Sequence, residues 1–166
     1  MTVAVWSVKG GVGVTSVAAM LAIAQVERAE PSVLIDLCGD VPALLGGTDV
    51  DDAEAAPGIA DWCAASEPNG AALARIERVI RTDLTIVTRG SGPFPVDAEP
   101  LMRVLAGSNR HTVVDCGVVA EHDVFRKQLV CEAPMSLLVV RECFLNLRAV
   151  QRSSLAPTAV VVLKEP

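Results

Sequence analysis

Three glycines, Gly10, Gly11 and Gly13, fall within four positions, between a run that reads as a strand and one that reads as a helix. Before them, Thr2-Val-Ala-Val-Trp-Ser7 is short, apolar and β-branched; after them, Val14 to Glu27 is rich in Ala, Met, Leu and Ile and has no breaker. A buried strand, a glycine turn and a long helix in this order point to an α/β protein. Glycines let consecutive backbone N–H groups face inward around an anion, and the helix N-terminus adds partial positive charge there. The phosphate loop that uses this device closes on Gly-Lys-Ser/Thr, whose lysine reaches the β- and γ-phosphates and whose hydroxyl ligates magnesium. In Val8-Lys-Gly-Gly-Val-Gly-Val-Thr-Ser16 the glycines and hydroxyls are in place, but Val14 stands where that lysine is expected.

The rest of the chain extends the same unit. Pro31 ends the first helix, and Ser32–Leu37 is a second strand, closing a strand–helix–strand unit of the kind that makes parallel sheets. Residues 46–69 are rich in acidic residues, Gly and Pro, and read as loop with a short helix near Ile59–Ala65. A helix over Ala71–Arg81 precedes a strand at Leu84–Thr88, a loop over Arg89–Pro95 and a helix over Asp97–Ala106. A strand at His111–Asp115, a helix over Glu121–Cys131, a strand at Ser136–Val140, a helix over Leu145–Ser153 and a strand at Thr158–Leu163 complete the pattern. The strands are apolar throughout, as expected when both sheet faces are covered. Aromatic residues are only 3% and Tyr is absent, so the core must be built of Val, Leu, Ile and Ala. The expectation is a three-layer α/β fold, a mostly parallel sheet with helices on both faces, in one domain over residues 1–166.

Lys9, Gly10, Gly11, Gly13 and Thr15 match the pattern Lys-Gly-Gly-x-Gly-Lys-Thr, so the chain resembles the ParA/MinD family of deviant P-loop ATPases. A glycine turn without a ligand does not account for five matched positions in the right context. The resemblance implies a nucleotide cradle over Lys9, Gly10, Gly11, Val12, Gly13, Val14, Thr15 and Ser16. It also implies that Lys9 is the family's signature lysine, which reaches the partner's phosphates across a nucleotide-sandwich dimer. The stretch Val33–Gly46 resembles the family's second motif, Asp-x-Asp and a Leu-rich turn. Asp36 matches the first acid, near the magnesium shell, but the acid that positions the attacking water falls on Cys38. Asp40, two residues on, is either a substitute for that acid or a turn and N-cap residue. Thr112-Val-Val-Asp115 resembles the strand whose carboxylate meets magnesium through water, so Thr15, Asp36 and Asp115 form the implied magnesium set. Arg141, after the Ser136–Val140 strand, either approaches phosphate or pairs with Glu142 or Glu132. Lys164-Glu-Pro166 departs from the Asn-containing pattern that holds the base in this family. Set against the family, the given sequence stops before the family's last helix and strand and before the amphipathic helix with which MinD reaches membranes, so the expectation is either a trimmed chain or a reduced version.

These features imply a MinD/ParA-like switch with a degenerate phosphate loop, binding Mg-ATP or Mg-ADP weakly, with catalytic candidates Lys9, Asp36 and Asp40. The alternative is a pseudo-ATPase interaction module that needs no nucleotide. An active ATPase would need another cation, Lys9 of a partner subunit or Arg141, in place of the lysine displaced by Val14. The implied partners are a second copy or a protein of a positioning, secretion or division system. A net charge of -6 does not support DNA binding. Arg75, Arg78 and Arg81, spaced on the helix expected at Ala71–Arg81, read as a solvated face. The acidic loop Asp49–Glu54 lacks the alternating pattern of a calcium site, and Trp6 and Trp62 read as core residues. Five scattered cysteines and two histidines in no zinc spacing fit free thiols in a reducing cytoplasm. No apolar stretch is long enough to span a membrane, and no secretory signal is visible.

Overall fold

A computed structural model describes residues 1–45 and 56–164, so the acidic loop Asp49–Glu54 and the Glu165-Pro166 end lie outside the described residues. The strands are β1 (Thr2–Ser7), β2 (Ser32–Asp36), β3 (Arg78–Arg81), β4 (Leu84–Val87), β5 (His111–Val118), β6 (Met135–Arg141) and β7 (Ala159–Leu163). They form one seven-stranded sheet in the order β3-β4-β2-β5-β1-β6-β7. Every pairing is parallel except β3 with β4. The described helices are α1 (Val14–Glu27), α2 (Val41–Leu45), α3 (Ile59–Cys63), α4 (Gly70–Ile76), α5 (Glu99–Ala106), α6 (Val124–Glu132) and α7 (Phe144–Arg152).

The period-two alternation of the strands divides the core into two. Val3, Val5, Leu34, Val113, Leu137 and Val139 point to one face, where Val14, Val17, Ala18 and Ala22 of α1 and Val41 of α2 cover them. Ala4, Trp6, Ile35, Val114, Leu138 and Val140 point to the other face and meet α3, α4, α5 and α6. The expected three-layer architecture is therefore present. Both tryptophans are core residues, as expected. Trp6 is fully buried and donates through Nε1 to Ser136 Oγ at 2.9 Å; Trp62 donates to the Asn69 carbonyl at 3.0 Å.

The helix expected over Ala71–Arg81 stops at Ile76, and Glu77 is extended, with φ -69° and ψ 137°. Its carboxylate is taken by Arg110 (2.7 Å) and the Thr85 hydroxyl (2.9 Å), contacts that helical spacing does not reveal. Arg78 to Arg81 then pair antiparallel with β4 through a turn at Asp83, whose φ is 65°. Arg75, Arg78 and Arg81 therefore do not share a helix face. The helix expected from Glu121 begins at Val124, because the Asp123 carboxylate caps it by accepting from Arg126 N–H at 3.0 Å. The two sheet edges differ: β3 carries two arginines, whereas β7 is Ala-Val-Val-Val-Leu with Val160 and Val162 exposed.

The short helix α3 is tied to the loop after β4 by backbone contacts. Ile59 and Ala60 donate to the carbonyls of Thr88 (2.8 Å) and Arg89 (2.9 Å), and Asp61 accepts from Gly58 N–H at 2.8 Å. Gly58 permits this approach, since a Cβ there would stand 2.2 Å from Gly90 N and 2.4 Å from Thr88 O. A Gly58→Ala substitution should destabilise the fold by about 1–3 kcal/mol, because backbone on both sides cannot yield cheaply. Equilibrium urea unfolding checks this; an unchanged midpoint would show that the two segments separate freely.

Candidate functional site

The phosphate-loop sequence adopts a cradle at the C-terminal end of β1. Gly11 (φ 74°) and Gly13 (φ 95°) occupy the left-handed region, and Gly13 precedes the first residue of α1. A Cβ on Gly13 would press Leu163 Cδ1 at 3.0 Å, so the loop also lies close under β7. Residues from Gly10 to Thr15 line a cleft of about 430 Å³ together with Ser7, Cys38, Asp40, Gly117, Val118 and Arg141. Lys9 is half-buried and lies outside this lining, and Ser16 is exposed and also outside it. Val12 and Val14 are buried. Val14 packs with the α1-side core, so its isopropyl group serves the core where a lysine would have reached toward phosphate.

Asp36 ends β2, and Asp115 is its register partner on β5. Both side chains follow the parity of Leu34 and Val113, which puts them on the α1 face, toward the loop. β5 does not end at Asp115 as the sequence suggested. Val5 pairs with Asp115 but Trp6 pairs with Gly117, so a register shift at Cys116 lets the strand run on to Val118. Such a bulge re-aims side chains beside a site. It brings Gly117 and Val118 into the cleft, residues the sequence reading did not assign to it; the Cys116-Gly117 pair after an acid was the available signal.

Asp36 is fully buried, and its carboxylate accepts from the N–H groups of Cys38 (2.8 Å), Gly39 (2.8 Å) and Val41 (2.9 Å). It holds the turn that leads into α2. Burial raises its pKa, opposed by these three N–H groups. Asp115 is also fully buried; one oxygen accepts from Gly117 N–H at 3.0 Å and the other has no partner of hydrogen-bond geometry. Burial, joined by the charge of Asp36 and opposed by the neighbouring Thr15 hydroxyl, lifts the Asp115 carboxyl to about 6. Cys38 is pushed up to about 12 by burial and by Asp115, so its thiol is neutral at physiological pH. A neutral thiol does not replace a carboxylate that orients water by accepting hydrogen bonds. Asp40 is exposed on the cleft, and its carbonyl accepts from Leu44 N–H at 3.2 Å at the start of α2. Arg141 ends β6 on the cleft wall, while Glu142 lies 4.0 Å from Lys164.

The glycine cradle, the α1 N-terminus, Thr15 and the orphaned oxygen of Asp115 fit a phosphate group with a magnesium ion. Val14 supplies no charge to such a ligand, and Cys38 is a poor neighbour for a hard cation.

Comparison with known proteins agrees with this geometry. A strand–glycine loop–helix cradle at the carboxyl ends of a parallel sheet defines the class of P-loop α/β proteins. Within that class the chain has the ParA/MinD fold. It superposes on a ParA family ATPase from Chlorobium tepidum with a TM-score of 0.70 and 18% identity, covering 98% of this chain and 72% of that one. It matches the MinD cell division protein of Aquifex aeolicus with a TM-score of 0.73 and 17% identity, covering 98% and 68%. The septum site-determining protein MinD of Pyrococcus horikoshii, complexed with Mg-ADP, matches with a TM-score of 0.62 and 19% identity, covering 90% and 62%. Residues 1–66 match the family of cellulose biosynthesis protein BcsQ. No curated protein sequence matches. No described helix is long and apolar enough to cross a membrane.

The raised Asp115 pKa has a direct consequence for stability. The carboxyl binds its proton more tightly when folded than at its ordinary value of 3.8. Its ionisation therefore removes stability as pH rises from about 4 to about 6, by roughly 3 kcal/mol, and Asp36 acts in the same direction. Asp115→Asn should match the parent near pH 4 and exceed it increasingly up to pH 7, by about 2–3 kcal/mol in urea unfolding without added cation. A constant difference across that range would mean that Asp115 ionises normally in the fold.

Proposed function

We propose that this chain is a ParA/MinD-like positioning or partitioning switch, with a phosphate loop that binds Mg-ATP or Mg-ADP weakly and hydrolyses it slowly or not at all. The observation that supports it is the conjunction of an intact glycine cradle and Thr15 on the cleft, Asp36 and Asp115 buried beside Cys38 on the adjoining strand ends, and an isopropyl group at position 14. Backbone N–H groups from Gly10 to Thr15 bind phosphate oxygens; Thr15 and Asp115 hold the magnesium ion, which neutralises phosphate charge when bound. In this reading Lys9, which does not line the cleft, serves a second copy rather than its own nucleotide.

The loss of hydrolysis follows from two substitutions acting together. A lysine at position 14 would add charge-assisted hydrogen bonds worth about 1.5–3 kcal/mol each, or roughly tenfold or more in affinity. Cys38 removes the carboxylate that would orient water, and Asp40, exposed at the cleft, is the remaining acid for that task. Loops after Asp36 and Asp115 change with the nucleotide and alter a surface for a second copy or a protein partner in the cytoplasm. The BcsQ match adds cellulose biosynthesis to division, partitioning and secretion as settings for that partner.

A second reading, an interaction module without nucleotide, is favoured by the burial of Val14 in the α1-side core. Calorimetric titration of Mg-ATP and Mg-ADP into the parent and Val14→Lys separates the two. The switch reading expects weak binding to the parent and binding tighter by roughly ten- to a hundredfold in the variant. Binding by the variant alone identifies a nucleotide-independent module, and binding by neither overturns the phosphate site.

A further inference from the structure

We propose that Asp36, Cys38 and Asp115 form a site for a thiophilic divalent cation of the zinc class, held by the protein without nucleotide. One ligand atom from each of the three lies within 4.8 Å of the others, a spacing small enough to close around one ion. The inference goes beyond the nucleotide reading and does not depend on it, although the two share Asp36 and Asp115.

Each side chain has a ligand atom to give. Asp115 is fully buried, and Gly117 N–H fixes one of its oxygens, leaving Oδ2 without a hydrogen bond in a place water does not reach. A buried carboxylate oxygen left unpaired is costly unless something positive meets it. Asp36 Oδ1 accepts two N–H groups and Oδ2 only one, so one lone pair of Oδ2 remains. Cys38 Sγ rests against Gly117, where a Cβ would lie only 2.3 Å from the sulfur. That glycine, at φ 58°, leaves the sulfur its position beside Asp115, whose carbonyl is 3.9 Å away.

The donor set selects the ion. Magnesium takes oxygen ligands in a near-ideal octahedron, and a sulfur in the set disfavours it. Zinc accepts sulfur and carboxylate oxygen together, in a tetrahedron whose fourth position a water fills when three protein groups bind. The cleft that Cys38 lines provides that position. On binding, the thiol gives its proton to solvent and the sulfur lone pair forms the bond to the metal. The other four cysteines lie outside this cluster.

The test uses the full chain without nucleotide. Titration with cobalt as the zinc surrogate should give, at one equivalent, a thiolate-to-metal absorption band in the near ultraviolet. Zinc added afterwards should displace it. Cys38→Ser should abolish the band and weaken zinc binding by at least about a hundredfold, more than the loss of an outer-shell partner costs. Asp115→Asn should weaken it comparably, whereas a Cys131→Ser, Cys143→Ser double variant, which removes the exposed thiols, should bind as the parent does. Cys38→Asp should keep the fold and shift preference from zinc toward magnesium. A band that survives in Cys38→Ser, or vanishes in the double variant, overturns the assignment, as does absence of zinc binding by a folded parent. Because no nucleotide is present, none of these outcomes depends on the phosphate site.

Discussion

Two carboxylates stand side by side on the central strands β2 and β5, in register and without solvent. Burying two like charges at this spacing is unfavourable, and the surroundings answer it differently for each. Asp36 is met by three backbone N–H groups, so the chain after β2 wraps around it, and that wrapping sets Cys38 and Asp40 on the cleft and starts α2. Asp115 is met by one N–H, has the Thr15 hydroxyl as a neighbour, and keeps an oxygen with no partner of hydrogen-bond geometry. The site is organised around this inequality. One acid builds the turn, and the other is left to bind a cation or hold a proton.

The phosphate loop shows a related exchange between packing and charge. The loop backbone retains its left-handed glycines, its helix N-terminus and its hydroxyl, all of which are geometry. Val14, the position that departs, has been drawn into the core that α1 shares with Val3, Val5 and Leu34. A lysine there must carry its charge out of that core to the phosphate, at some expense to packing. Stability of the α1 contact and grip on the nucleotide thus compete at one residue.

The sequence disclosed the parallel strands because each is an apolar run followed by helical spacing, and it disclosed the cradle because glycine spacing is local. Trp6 and Trp62 were legible as core residues from their residue type, whereas the Asp36–Asp115 set followed only from the resemblance to the ParA/MinD family. What stayed hidden depended on partners distant along the chain. Glu77 leaves the helix because Arg110 and Thr85 hold its carboxylate, and no local pattern shows that. The bulge at Cys116 is a matter of register against β1, so the strand looked complete at Asp115 when it had three residues still to run. The closeness of Cys38 Sγ to Gly117 is likewise a contact between the turn after β2 and the end of β5, which the sequence places far apart.

The two edges of the sheet, among the described residues, differ in charge and direction. At one side β3 is four residues long, runs against its neighbour and bears Arg78 and Arg81, all features that discourage another strand from adding. At the other, β7 continues the parallel order of β6, carries no charge and leaves Val160 and Val162 exposed. Among the described residues the sheet thus has one charged, antiparallel margin and one uncharged, parallel margin. The uncharged margin is also the one beside the phosphate loop, because Leu163 of β7 lies against Gly13.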